Sequence, residues 1–237
     1  MDGELAVVWR FVRRDLDART FERWLYEQPQ LEQRLGPQLY MEVVSVDFGN
    51  AEALFQVRRK LESYARVHSD MSCECVTLPD TAVVDMAHPG VLLDHFEELR
   101  RRGESHWWLG VSRCTVCQTP WLVAQEERQN DVYVLRRLTA RELAGILTSG
   151  QWPTYFDAYG TLLRLGSAAG HRAVFGDPVG DSSLVATMCD IAEGEPGITV
   201  TELATLLNLD PETAALIADQ AIVRHGARIT LDDEPWR

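Results

Sequence analysis

Four of the five cysteines in this chain fall in two tight pairs, Cys73 with Cys75 and Cys114 with Cys117. Thiolates are favoured ligands of zinc, and structural zinc sites take four ligands in a tetrahedron. A CxxC sequence in a tight turn between strands directs both sulfur atoms at one ion. Residues i and i+2 of an extended strand also face the same side, so the CxC can supply the other two sulfurs. The two pairs together predict a four-thiolate zinc site.

Two other interpretations of the cysteines stay open at the level of the sequence. A redox CxxC lowers the pKa of its first thiol by placing it at a helix N-terminus, whereas Cys117 is followed by QTPWLVAQ, which is typical of a strand. Cysteine also serves simply as a small buried residue. His88 or His106 could replace one thiol if the CxC gives a single ligand, and Gln118 stands where a zinc knuckle usually has glycine.

The predicted zinc is structural, because four thiolates leave no coordination position for water or substrate. The sequence contains no Gly-rich phosphate loop, no GxSxG elbow and no HExxH motif, and it indicates no catalytic residue. We therefore expect a binding protein and not an enzyme. An enzyme whose site is assembled from dispersed residues stays open as an alternative.

The cysteines must be positioned by a central segment, residues 69–166. A helix is predicted at 91–102, and later helices begin at the Thr139–Glu142 capping box and at Pro153. The CTVC sequence at 114–117 forms a turn between strands. The predicted extended segments are 72–86, 106–113, 120–127 and 132–138.

An N-terminal module, residues 1–68, precedes this segment. Its pattern predicts a strand at 5–12 and another at 38–48. Asp17 is expected to cap the helix that follows the first strand, and Asn50 the helix that follows the second. This module is a small α+β unit.

Residues 167–181 are rich in Gly, Ala and Pro and are predicted to be a linker. The pattern of residues 182–237 predicts three helices followed by a short strand. This order of elements resembles that of a winged helix-turn-helix. A DNA-binding domain of this type needs basic side chains on its recognition helix. The corresponding helix here, which begins at Pro211, carries Glu212 and Asp219, and this favours helical packing or protein binding over DNA binding. The fold class expected for the whole chain is α+β, with a zinc-stapled central domain between two smaller modules.

The composition indicates a cytoplasmic protein that binds a basic partner. There are 36 acidic and 23 basic residues, for a formal charge of −13, which disfavours nucleic acid as the partner. No apolar run approaches the roughly 20 residues that span a bilayer, so no membrane association is expected. The N-terminus lacks the features of a signal peptide, and cytosolic thiols stay reduced, which is consistent with metal binding.

Two stretches resemble known bacterial proteins. FERWLYEQPQLEQRLGPQLYMEVVSVDFGNAEALFQVRRKL, at 21–61, resembles a short module of immunity proteins, which neutralise toxins deployed against neighbouring cells. The stretch from CEC at 73–75 through WWLGVSRCTVC and WLVAQEERQNDVYVLRRL to WPTYFDAY is similar to uncharacterised zinc-ribbon-like bacterial proteins that often accompany that module. The resemblance implies a non-catalytic immunity or antitoxin-like factor whose partner is a basic toxin.

Acidic surface docking is consistent with that function, because complementary charge accelerates association. Glu126, Glu127 and Asp131, at the turn after the second strand of the hairpin, are the candidate partner contacts. A transcriptional regulator that uses the C-terminal helices is the remaining alternative.

Overall fold

Helices and one antiparallel sheet make up the protein, as expected for an α+β fold. The chain divides into two compact units, Met1–Asp80 and Thr81–Arg237. None of the helices in the described part of the chain has the length and apolar character needed to cross a bilayer. The computed structural model describes residues 3–69, 73–89, 93–103 and 107–232.

The first unit is helical throughout its regular structure. The predicted strands at 5–12 and 38–48 are wrong, because both segments form helices. Leu5, Val8 and Trp9 are buried at the i, i+3, i+4 spacing of a helix, although an apolar run of this length also fits the alternating period of a strand. The helices are α1 Gly3–Val12, α2 Ala18–Tyr26, α3 Leu31–Leu35, α4 Pro37–Val44 and α5 Ala51–His68.

Local capping signals predicted two of these helices correctly. The side chain of Asp17 accepts a hydrogen bond from the Thr20 amide at the start of α2, and Asn50 accepts one from the Ala53 amide at the start of α5. The helices enclose a core of apolar side chains that includes Trp9, Phe11, Phe21, Leu25, Val43, Val57 and Leu61.

The second unit is built on a five-stranded antiparallel sheet in the order β1-β5-β4-β3-β2. The helix predicted at 91–102 is wrong, because residues 96–103 pair with β3 as an edge strand. The charged residues of this segment are typical of an exposed helix, which explains the prediction. They are also tolerated in an edge strand, because one edge of such a strand faces solvent. The strands are β1 Thr81–Asp85, β2 Phe96–Gly103, β3 Trp108–Cys114, β4 Pro120–Glu126 and β5 Val132–Arg137.

Five helices complete the second unit and share one core with the sheet. Leu109, Val111, Leu122 and Val134, on one sheet face, belong to the same apolar cluster as Leu184, Met188, Ile191, Leu203 and Ile217 of the C-terminal helices. The helices are α6 Ala140–Ser149, α7 Tyr159–Ala168, α8 Ser182–Gly194, α9 Val200–Leu206 and α10 Pro211–His225.

The C-terminal helices therefore do not pack as a separate module, although the three helices predicted in this segment are present. The capping box of Thr199 and Glu202 opens α9, and Gly226, in the left-handed conformation, ends α10. The strand predicted after α10 is reduced to a single parallel bridge between Thr199 and Thr230. Residues 169–181, most of the predicted linker, contain no helix or strand.

A buried carboxylate organises the turn between β4 and β5. Glu126 is 0% exposed, and its Oε1 accepts hydrogen bonds from the amides of Arg128 (2.9 Å) and Gln129 (3.0 Å) and from the Tyr159 hydroxyl (2.8 Å). Its Oε2 accepts one from the amide of Asn130 (2.7 Å). Four donors thus replace the water that this charge loses on burial.

The same turn is tied to α8 through side chains. The Arg128 guanidinium forms an ion pair with Asp190, and it donates a hydrogen bond to the Thr187 hydroxyl (3.1 Å). Burial, followed by the neighbouring Glu126 charge, raises the pKa of the Tyr159 hydroxyl, which therefore stays protonated as a donor. The strand pair β4–β5 is consequently fixed to both α7 and α8.

We expect Glu126→Ala to lower the free energy of unfolding of the protein by about 3–4 kcal/mol, because it leaves buried donors without an acceptor. Urea denaturation followed by circular dichroism measures the change. Glu127→Ala, at the exposed neighbouring position, is the control and should shift the same transition by no more than about 0.5 kcal/mol. Equal effects of the two substitutions would show that the buried hydrogen bonds do not stabilise the turn.

Candidate metal centre

The Cys114–Cys117 pair lies in the predicted turn between β3 and β4. Cys114 is the last residue of β3, and its amide donates to the Thr119 carbonyl (3.0 Å), while the Gln118 amide donates to the Cys114 carbonyl (2.9 Å). Gln118 has a φ of 60°, the left-handed region that favours glycine. Gln118 therefore adopts the backbone conformation that favours glycine, the residue expected at this position in a zinc knuckle.

Hydrogen bonds fix this turn from both sides. The Thr115 amide donates to the carbonyl of His95 (2.8 Å), just before β2. The Cys117 thiol donates to the Thr119 hydroxyl (3.1 Å). Cys114 is buried, whereas Cys117 is more accessible.

The Cys73–Cys75 pair does not lie in an extended strand, contrary to the prediction. Cys73 is extended, but Cys75 lies in a single 3₁₀ turn, Glu74–Val76, which closes when the Thr77 amide donates to the Glu74 carbonyl (2.9 Å). The first strand of the sheet begins later, at Thr81. Cys75 is buried within this turn.

A buried ion pair in the first unit holds this segment in place. Arg13 Nη1 donates to the Val76 carbonyl (2.9 Å), and Arg13 Nε lies 2.9 Å from Asp15 Oδ2. Asp15 Oδ1 accepts a hydrogen bond from the Asp80 amide (2.7 Å). The sequence does not reveal that Arg13 and Asp15 position this segment. Nothing in the sequence RRDLD, at 13–17, indicates a contact with residues more than 60 positions away.

The ligand atoms of the two pairs converge. The Sγ atoms of Cys73, Cys75, Cys114 and Cys117 all lie within 4.8 Å of one another. Tetrahedral zinc with Zn–S bonds near 2.3 Å requires S···S separations of about 3.8 Å, which lies within the 4.8 Å limit on the distances between these atoms. The four cysteines predicted from the sequence therefore form a cluster that could hold a metal ion.

The histidines considered as substitute ligands have different positions. The side chain of His88 is 87% exposed, and its Nδ1 lies 3.9 Å from Asp85 Oδ2. His88 is not part of the cysteine cluster. His106 lies outside the described residues. The remaining cysteine, Cys189, packs against the core of the second unit, and burial raises the pKa of its thiol.

The three predicted partner contacts have different surroundings. Glu126 is wrong as a surface contact, because it lies on the core face of β4 together with Leu122 and Ala124 and is fully buried. Glu127 and Asp131 are exposed at the turn. The side chain of Glu127 accepts a hydrogen bond from Gln125, and the carbonyl of Asp131 accepts one from the Met86 amide (2.9 Å).

No protein-family model, curated protein or solved structure matches the chain.

We expect Gln118→Gly to stabilise the protein by about 0.5–1 kcal/mol, because glycine adopts the left-handed conformation without the steric cost paid by glutamine. Thermal denaturation measures the effect. Gln118→Ala is the control, since it keeps the backbone cost and removes the hydrogen bond from the Gln118 side chain to the Thr115 carbonyl. A glycine variant less stable than the alanine variant would contradict the conformational argument.

Proposed function

We propose that Cys73, Cys75, Cys114 and Cys117 bind one structural zinc ion. The observation that carries this proposal is the convergence of four Sγ atoms within 4.8 Å. Four sulfur donors suit zinc better than the oxygen-preferring magnesium or calcium ions. The left-handed Gln118 backbone supports the same assignment, since it lets the 114–117 turn direct both sulfurs inward.

The chain's own groups would support the thiolates. The Thr119 hydroxyl, 3.1 Å from the Cys117 sulfur, can donate to a thiolate there. The Arg13–Asp15 pair fixes the 73–80 segment before any ion binds, which lowers the entropic cost of assembling the site. Zinc closed by four thiolates contributes folding free energy and offers no open position for catalysis.

The scaffold, in this proposal, is a non-catalytic protein-binding factor of the immunity or antitoxin type. The charge of −13 favours a basic partner, and the proposed contacts are the exposed carboxylates of Glu127 and Asp131. Glu126 contributes indirectly, because its hydrogen bonds hold the turn that carries both acids. Preorganised acids of this kind speed association with a basic toxin surface.

The zinc assignment is tested by elemental analysis of protein purified under reducing conditions. We expect about one zinc per chain in the wild type and loss of both zinc and thermal stability in Cys114→Ser and Cys75→Ser. Cys189→Ser makes the same chemical change outside the cluster and should retain the metal. Wild-type protein that neither contains nor takes up zinc would refute the assignment, as would equal zinc loss in Cys189→Ser.

The docking proposal is tested by affinity purification from the cells that naturally produce the protein. We expect a basic protein to co-purify at low salt and to be lost with Glu127→Lys/Asp131→Lys, because charge reversal turns attraction into repulsion. Glu32→Lys/Glu52→Lys makes the same change in net charge on exposed helix positions of the first unit and should keep the partner.

The immunity role requires a further outcome from the same partner. The captured protein should inhibit growth when it is expressed alone, and co-expression of the wild-type chain should restore growth. A partner that is harmless to cells, or one that both double variants lose equally, would contradict the proposed function.

A further inference from the structure

Helix α10 presents one face to the core and a narrow opposite face to solvent. Ala214, Ile217, Ala218 and Ala221 are buried against the apolar cluster of the second unit. The small alanine side chains allow the backbone of α10 to lie close to that cluster. The helix is also capped at both ends, by Asp210 and by Gly226. Hydrogen bonds therefore fix both ends of the helix that carries the outer face.

That outer face alternates acidic and apolar side chains. Glu212, Leu216, Asp219 and Val223 follow the i, i+4, i+7, i+11 spacing, which places all four within a narrow stripe on the side away from the buried alanines. Leu216 is 52% exposed and Val223 is 74% exposed. We call these four residues the α10 stripe. A helix face that only meets solvent is normally polar throughout, so two exposed aliphatic side chains in register need a further explanation.

The charge around the stripe defines what it can bind. Residues 182–237 contain ten acidic and three basic residues, so this segment carries a large share of the negative charge of the chain. Arg224, in the last turn of α10, is about 100° around the helix from Val223. The phosphate backbone of DNA would meet Glu212 and Asp219 first and would be repelled.

We propose that the α10 stripe is a docking surface for a basic amphipathic helix of a protein partner. Leu216 and Val223 would contact apolar side chains of the incoming helix, and Glu212 and Asp219 would pair with its flanking lysine or arginine residues. This inference rests on the proposed protein-binding function and names a second surface for it, distinct from Glu127 and Asp131. The seven-residue repeat of both the acids and the apolar residues matches the spacing at which two helices contact each other.

The probe for this surface is a labelled synthetic peptide of about 18 residues, long enough to form a helix, with leucine at i, i+3, i+4, i+7 spacing and lysine elsewhere. Fluorescence anisotropy with the full-length protein measures the dissociation constant. We expect Leu216→Ser/Val223→Ser to weaken binding roughly tenfold, as for loss of central apolar anchors. Val67→Ser/Val174→Ser changes two valines elsewhere that are 78% and 87% exposed, and it should leave binding unchanged.

Charge is tested separately, because any cationic peptide is attracted to a chain of charge −13. Asp219→Lys should weaken peptide binding at least about fivefold more than Glu52→Lys, which alters the net charge by the same amount. A peptide with glutamate in place of lysine should not bind. Circular dichroism of each variant confirms that it is folded, so a loss of binding can be assigned to the surface.

Two results would overturn the inference. One is equal weakening by the stripe variants and by their controls, which would mean that binding is non-specific attraction. The other is binding of short duplex DNA that Arg224→Ala weakens and Asp219→Lys strengthens, which would make α10 a nucleic-acid reader. If either occurs while zinc content and capture of the basic partner are as expected, the proposed function stands and only the α10 surface is wrong.

Discussion

The second unit depends on a carboxylate placed where an apolar side chain would be expected. Burying a charge costs several kcal/mol unless donors replace the lost water, as the three turn amides and the Tyr159 hydroxyl do for Glu126. These hydrogen bonds give the Arg128–Asp131 turn one conformation. They also join the turn to α7, while Arg128 joins it to α8. The sheet and the helices that cover it are therefore linked by polar contacts as well as by the apolar core, and the two exposed acids lie on a turn whose backbone is hydrogen-bonded.

The cysteine cluster illustrates which parts of a site a sequence can predict. The 114–117 turn was predicted correctly because turn geometry is local: strands on both sides and a CxxC between them leave few alternatives. Participation of Cys73 and Cys75 was inferred from chemistry, and the structure brings all four sulfurs together. The extended conformation predicted for the CxC was wrong, because a 3₁₀ turn of three residues is too short to produce a periodic pattern in the sequence. Arg13 and Asp15, which hold that segment, could not be found because their contacts join distant parts of the chain.

The same distinction applies to the fold. Helices with a cap, such as those that begin at Asp17, Asn50 and Thr139, were predicted because the cap satisfies backbone donors within one turn. The sequence predicts strands at 5–12 and 38–48, but short apolar runs rich in valine fit the periods of both a helix and a strand, and tertiary packing decides between them. The helix predicted at 91–102 is wrong for a different reason. The charged composition of this segment is typical of an exposed helix, but its backbone pairs with β3 as an edge strand. Glu126 was misplaced for a related reason: a charged residue near a turn is normally exposed, and its four donors become visible only in three dimensions.

Surface chemistry in this protein is constrained less by folding than the core is, so unusual surface residues are informative. The buried face of α10 is made mainly of alanine, and it would pack equally well whatever residues faced solvent. Lysine or glutamate at positions 216 and 223 would favour solubility and helix formation, yet leucine and valine are present, each flanked along the stripe by an acid. Valine lowers helix propensity, and an exposed apolar pair promotes association, so the stability of the fold gains nothing evident from either residue. An apolar contact bordered by carboxylates does have a physical use in binding, because the carboxylates select a basic partner while the aliphatic side chains slow its dissociation.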